Sequence, residues 1–182
     1  MLPVHPAHVF WLFGLSGAGK STLATLLAAD LKARGIAVLA LDGDVMRDGL
    51  SRSLGFSDAD RAENLRRSAE VARMALMSNL CVIAAFITPL EAHREMIASI
   101  IGADRISPVL IDAPLEVCRM RDVKGLYAAA KSGRVLQMTG VTSGFEPPRR
   151  TDLIVHTDRE NVAASAGHLR EFALHRLGVA GS

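Results

Sequence analysis

One stretch constrains this chain more than any other: Gly14-Leu15-Ser16-Gly17-Ala18-Gly19-Lys20-Ser21. Two glycines separated by four residues and followed by Lys-Ser complete the phosphate-loop pattern. Glycine lets the backbone wrap tightly, so that its N–H groups turn inward onto phosphate oxygens. The helix that opens at the end of the loop adds its positive pole. In this pattern Lys20 bridges the β- and γ-phosphates and Ser21 offers its hydroxyl to Mg²⁺. A glycine-rich turn that merely connected two elements would not explain Lys-Ser at its end. Gly14, Ser16, Gly17, Ala18, Gly19, Lys20, Ser21 and Thr22 are therefore the candidate nucleotide-binding residues, with Ser21 the candidate metal ligand.

The surrounding pattern suits that loop. Residues 9–15 form an apolar run, the mark of a buried strand. Residues 20–34 read as a helix stopped by Gly35. Further strands are expected at 36–41, 80–87, 108–111 and 153–156. Helices are expected over the run after Ser57, over 92–101, over 115–121 and in the C-terminal stretch. Ser57 and Asp60 have capping-box spacing, and so do Thr157 and Glu160. Leu65, Ala69, Ala72 and Leu76 form one apolar stripe. Val162, Ala166, Leu169, Phe172 and Leu177 read as the core face of the last helix. Strands alternating with helices predict an α/β phosphate-loop fold, a central five-stranded parallel sheet with helices on both faces. Ligands of such sheets bind beyond the carboxyl ends of the strands. The loops to watch are 14–21, 42–56, 87–89 and 122–150. The last of these is punctuated by glycines and lacks a steady period, which predicts a mobile lid.

With 182 residues the chain is expected to be one domain, with no partner domain fused to it. A net charge of +2 is too small to argue for a nucleic-acid partner, but it suits anionic ligands. No apolar run is long enough to span a bilayer, and the first residues do not read as a signal peptide. Cys81 and Cys118 form no metal or redox motif and are expected to pack in the interior, which makes a reducing cytoplasm the default location. A single domain with a lid leaves little room for mechanical coupling, so a small-molecule kinase is the expectation. No Asn-Lys-x-Asp string is present to read guanine, which favours ATP.

Four further clusters fall on the ligand loops. They are Leu41-Asp42-Gly43-Asp44 with Arg47-Asp48-Gly49-Leu50; Leu54-Gly55-Phe56-Ser57 with Asp60-Arg61 and Asn64-Leu65-Arg66-Arg67; Phe86-Ile87-Thr88-Pro89; and Arg121-Asp122-Val123-Lys124-Gly125-Leu126-Tyr127 with Thr139-Gly140 and Phe145-Glu146-Pro147-Pro148. In order and spacing this set resembles the adenylyl-sulfate kinase family, from about residue 9 to the final helix. The resemblance implies transfer of the γ-phosphoryl group of ATP, with Mg²⁺, to the ribose 3′-hydroxyl of adenosine 5′-phosphosulfate. It implies Asp44 as the base, with Lys20 and Lys124 facing the transferring group. Arg47, Phe56, Arg61, Asn64, Ile87, Thr88, Lys124 and Thr139 become candidate acceptor contacts, with Phe56 stacking on the adenine. Asp42 either holds the Mg²⁺ water shell, orients Asp44, or is a turn residue bonding its own backbone. Arg121 would line the ATP side. Arg66 and Arg67 are either further contacts or surface charges. Relatives of this kind are often dimers, and a homodimer is carried over as an expectation although the sequence displays no distinct interface.

The departures gather on the acceptor side. Where the family has Lys-Gly-Phe-Thr-Gly, this chain has Leu136-Gln137-Met138-Thr139-Gly140, so that Met138 takes the place of an aromatic on the second face of the base. Glu91 replaces a basic residue, Val45 a polar one, and Phe145 a common Tyr. A related kinase acting on the ribose of another modified nucleotide, such as a cytidine diphosphoramidate, is the alternative. A silent nucleotide-binding protein would not need Lys20, Ser21, Asp44 and Lys124 together.

Overall fold

In the computed structural model the described residues are 7–122, 125 and 144–179. The strands β1 (Val9–Phe13), β2 (Val38–Asp42), β3 (Cys81–Phe86), β4 (Ile106–Asp112) and β5 (Leu153–His156) form one parallel sheet in the order β2-β3-β1-β4-β5. β1 is central, with Phe13 level with Phe86 on one side and Leu110 on the other. A strand covered on both faces has no polar face to keep, and every residue of β1 and β3 is buried.

The helices are α1 (Lys20–Ala33), α2 (Gly43–Asp48), α3 (Asp58–Met77), α4 (Glu91–Ile101), α5 (Leu115–Arg121) and α6 (Val162–Arg176). On one face of the sheet, Leu23, Leu27 and Leu31 of α1 and Leu169, Ala173 and Leu174 of α6 pack on Phe10, Leu12, Ile83 and Val109. On the other face, Leu65, Ala69, Ala72 and Leu76 of α3 and Ile97 and Ile101 of α4 pack on Trp11, Phe13, Val82 and Ala84. Both cysteines are free and buried.

The elements depart from expectation in three places. Residues 43–48 are helical, within what reads as a loop, because Asp42 caps them by accepting from the backbone N–H of Asp44 at 2.9 Å. Secondly, α6 is capped by Asn161, whose side chain accepts from the N–H of Ala164, and not by the Thr157–Glu160 pair. The Thr157 hydroxyl is committed elsewhere, donating to the Ala18 carbonyl at 2.8 Å. Finally, Val162 is 55% exposed and lies off the core face. The Ser57 cap is as expected: its hydroxyl accepts from the N–H of Asp60 and donates to the Asp60 carboxylate. Among the described residues no helix is long and apolar enough to cross a membrane.

Candidate active site

The phosphate loop leaves β1 at its carboxyl end. Gly14 has φ +147°, and a Cβ there would lie 2.2 Å from the Ile111 carbonyl oxygen of β4. Gly17 has φ +81°, and a Cβ would meet the Cys118 carbonyl at 2.8 Å. These two positions admit only glycine, for reasons of contact as well as backbone angle. Gly19 precedes the first residue of α1, so the helix N-terminus opens onto the loop. Lys20 is 9% exposed, and its Nζ donates to the Leu15 carbonyl at 2.7 Å across the loop. Ser16 and Gly17 are half-buried, Ala18 is buried, and Ser21 and Thr22 are exposed.

A clasp holds the far side of this loop. Thr157, directly after β5, donates to the Ala18 carbonyl, while its backbone N–H donates to Asp112 O at 2.9 Å. Arg121, at the end of α5, donates to Thr157 Oγ1 at 3.0 Å, to Thr157 O at 2.7 Å and to Gly17 O at 3.4 Å. Arg121 therefore joins the end of α5 to the phosphate loop and to Thr157. By spacing alone Thr157 reads as a helix cap. Its position at the carboxyl end of a strand was the signal that it belongs to the site.

Ser21 donates to Asp42 Oδ2 at 2.6 Å. The other oxygen of Asp42 accepts from the Asp44 backbone. Asp42 thus bonds its own turn and, through its other oxygen, joins the start of α2 to Ser21 at the end of the phosphate loop. Asp44 is exposed. Next along the chain, Arg47 donates to Gly55 O at 2.8 Å, and its guanidinium lies 4.5 Å from the centre of the Phe56 ring. Arg61 Nε donates to Phe56 O at 2.9 Å. Burial, and then the neighbouring Arg61 cation, push the Arg47 pKa down from its ordinary value. Two cations crowded in this way are relieved by an anion. Phe56 is 63% exposed, so it is not a core residue.

Asn64 is 4% exposed, and its Oδ1 has no hydrogen-bond partner among the described residues. Such an orphan points to a ligand or a water. Thr88 is 1% exposed, its Oγ1 accepts from Trp11 Nε1 at 2.9 Å, and its φ is +44°. A β-branched residue at positive φ is strained, and strain of this kind collects at functional sites. Ile87 is half-buried, and its carbonyl accepts from the Gly14 N–H at 3.2 Å, which joins the two loops. Arg66 and Arg67 pair with Glu63 on α3, with Arg67 also donating to Leu50 O, so both belong to a solvated helix surface. Lys124, Met138 and Thr139 lie outside the described residues.

Arg94 escaped the sequence reading. It is 9% exposed and donates to Thr88 O at 3.0 Å, Glu91 Oε2 at 2.8 Å and Glu146 O at 2.9 Å. Its guanidinium faces the rings of Phe13 and Phe145. The Glu146 carboxylate accepts from the Glu91 N–H at 2.6 Å at the start of α4. Residues 145–149, expected as part of the lid, are thereby fixed to the loop that carries Thr88. Glu91, which looked like a lost cation, is the anionic partner of Arg94.

A parallel sheet with a phosphate loop after β1, a serine joined to an aspartate after β2, and crowded cations beside an exposed ring defines a nucleotide-dependent phosphotransferase of the phosphate-loop class. The adenylylsulphate kinase family model matches residues 6–156, and the chain belongs to that family. It is 44% identical over 169 residues to the adenylyl-sulfate kinase of Bacteroides thetaiotaomicron, covering 93% of this chain and 84% of the relative. It is 49% identical over 151 residues to that of Paraburkholderia xenovorans, covering 83% and 84%. The APS kinase of Mycobacterium tuberculosis in complex with AMPPNP and APS superposes with a TM-score of 0.87 at 38% identity, covering 94% of this chain and 99% of that one.

Proposed function

We propose that this chain phosphorylates the ribose 3′-hydroxyl of adenosine 5′-phosphosulfate at the expense of ATP. The observation that carries this reading is the Ser21–Asp42 bond of 2.6 Å. It sets the phosphate loop directly against the segment bearing Asp44, Arg47, Phe56 and Arg61. The M. tuberculosis kinase, solved with APS and an ATP analogue, gives the same fold a matching pair of ligands.

In this reading the loop N–H groups and Lys20 hold the donor phosphates, and Arg121 flanks them. The oxygen donors fit a hard divalent cation: the Ser21 hydroxyl would hold Mg²⁺ directly and Asp42 through its water shell. Bound there, Mg²⁺ supplies neutralisation of the phosphate charge. Asp44 accepts the proton of the acceptor hydroxyl, help that is typically worth about 10²- to 10⁴-fold. Arg47 and Arg61 take the phosphosulfate oxygens, a task suited to the planar guanidinium. Phe56 carries the adenine, and Asn64 Oδ1 and the Thr88 loop bound the pocket. We assign Lys124 to the transferring group and Met138 and Thr139 to the outer wall of the base site. A homodimer is inferred from kinship alone, and the two free cysteines suit a cytoplasmic location.

The test is a mass-resolved kinase assay with Mg-ATP that offers adenosine 5′-phosphosulfate and a cytidine diphosphate derivative side by side. Conversion of the adenine compound to its 3′-phosphate is expected. Failure on it, with turnover of the cytidine compound, would overturn the acceptor assignment and leave the phosphoryl-transfer parts standing.

A further inference from the structure

Trp11 is the only tryptophan of the chain, and it lies in the middle of the central strand, 2% exposed. Packing alone does not call for it. The other residues of β1 have apolar side chains without a polar atom. An indole brings an N–H that must find an acceptor when it is buried. Here the acceptor is 77 positions away: Nε1 donates to Thr88 Oγ1 at 2.9 Å. The indole stacks on Phe86, the last residue of β3, with ring centres 4.9 Å apart and planes 18° from parallel.

What the bond holds is the turn that follows β3. Thr88 has φ +44°. A β-branched residue enters the left-handed region only where its surroundings impose it. Here three segments do so. Trp11 of β1 holds the Thr88 side chain, Arg94 of α4 donates to the Thr88 carbonyl at 3.0 Å, and the Gly14 N–H donates to the Ile87 carbonyl at 3.2 Å. Arg94 and Gly14 grip the backbone, and the indole grips the side chain. Trp11 and Phe13 are two apart on β1 and share one face of the sheet, with Phe13 facing the Arg94 guanidinium. One face of the central strand therefore sets this turn.

The structure assigns to Trp11 the part of a positioning residue: its indole N–H holds Thr88 in the strained turn that bounds the acceptor pocket, so that the turn is formed before the acceptor arrives. Trp11 acts through Thr88. This rests on the acceptor reading above. A turn that is only partly formed in the free protein lowers the apparent affinity by the fraction that is competent. The ATP side is spared, because Gly14 packs independently against the Ile111 carbonyl of β4.

Because the chain has one tryptophan, expression in a tryptophan auxotroph fed the benzothiophene analogue alters residue 11 alone. The analogue replaces the N–H by sulfur in a ring of nearly the same shape. Steady-state kinetics compare the tryptophan and the analogue protein, each with Thr88 and with Thr88→Val. With adenosine 5′-phosphosulfate the analogue is expected to raise the acceptor KM about fivefold, within the worth of one hydrogen bond, and to leave the KM of ATP within about twofold. In the Thr88→Val background the bond is already absent, and the analogue should change the acceptor KM by less than about twofold. Trp11→Phe, which also removes part of the ring, should show the same split between the two KM values at a lower thermal midpoint. An acceptor KM unchanged by the analogue would overturn the proposal. So would equal increases in both KM values, the mark of a merely structural role, or an increase of the same size in the Thr88→Val background. A wild type that uses only the cytidine compound would instead sink the acceptor reading. The same comparison on that compound would then decide the proposal.

Discussion

At the scale of single residues, Asp44 and Gly14 make opposite demands. Asp44 is exposed at the start of a short helix. Asp44→Ala is expected to leave ATP affinity nearly intact and to cut turnover by about 10² or more. Nucleotide titration beside single-turnover rates checks this, and normal turnover would remove Asp44 as the base. Gly14→Ala should behave in the reverse way. Its methyl carbon would stand 2.2 Å from the Ile111 carbonyl oxygen, so β1, β4 or the loop must shift. Loss of ATP binding together with a lowered thermal midpoint is expected. A variant that bound ATP normally would show that the loop has room which the structure denies it.

At the scale of elements, most of what the pattern promises is present, and the exceptions have physical causes. The stripe Leu65, Ala69, Ala72, Leu76 is legible because a long amphipathic helix repeats its signal, and all four residues are buried. Six residues of α2 carry too little periodicity to be read. Thr157 and Glu160 have the spacing of a cap, yet spacing cannot reveal that the phosphate loop claims the Thr157 hydroxyl. Asn161→Ala should therefore destabilise the protein by about 1 kcal/mol in urea unfolding while leaving ATP affinity alone. In the candidate site, the phosphate loop could be read from sequence because a local motif encodes it, while Phe56 is singled out only through the family resemblance. Arg94 could not be read, since its partner Glu146 lies 52 positions away along the chain. Arg94→Met removes the partner of Glu91 and the donors to Thr88 O and Glu146 O. It should cost about 3 kcal/mol, as a broken buried pair does, and raise the acceptor KM more than the ATP KM. Equal effects on both substrates would deny the clamp any preference for the acceptor loop.

At the scale of the whole molecule, acid acts on the end of the sheet remote from the site. His8, 8% exposed and within 3.0 Å of Ser107 Oγ, has its pKa lowered from 6.5 to about 4, first by burial and then by the Arg176 and Arg105 cations, with Asp152 and Asp104 opposing. Above pH 6.5 neither the folded nor the unfolded chain protonates this ring. As pH falls from about 6.5 to about 4 the unfolded chain gains the proton first, so stability declines across that window. Urea midpoints measured over the same range should fall, and His8→Gln should flatten the decline. A slope unchanged by the substitution would move the effect to other groups.

The strand order β2-β3-β1-β4-β5 divides labour along the chain. Every described residue assigned to the acceptor comes from positions 44–88, on the β2–β3 wing. Those assigned to ATP come from the loop after β1 and from the β4–β5 wing, with Asp42 of β2 joining the two through Ser21. A lineage can therefore trade one wing against new substrates while inheriting the other unchanged. In the laboratory the same seam marks where two such kinases could be spliced, with the donor half of one serving the acceptor half of another.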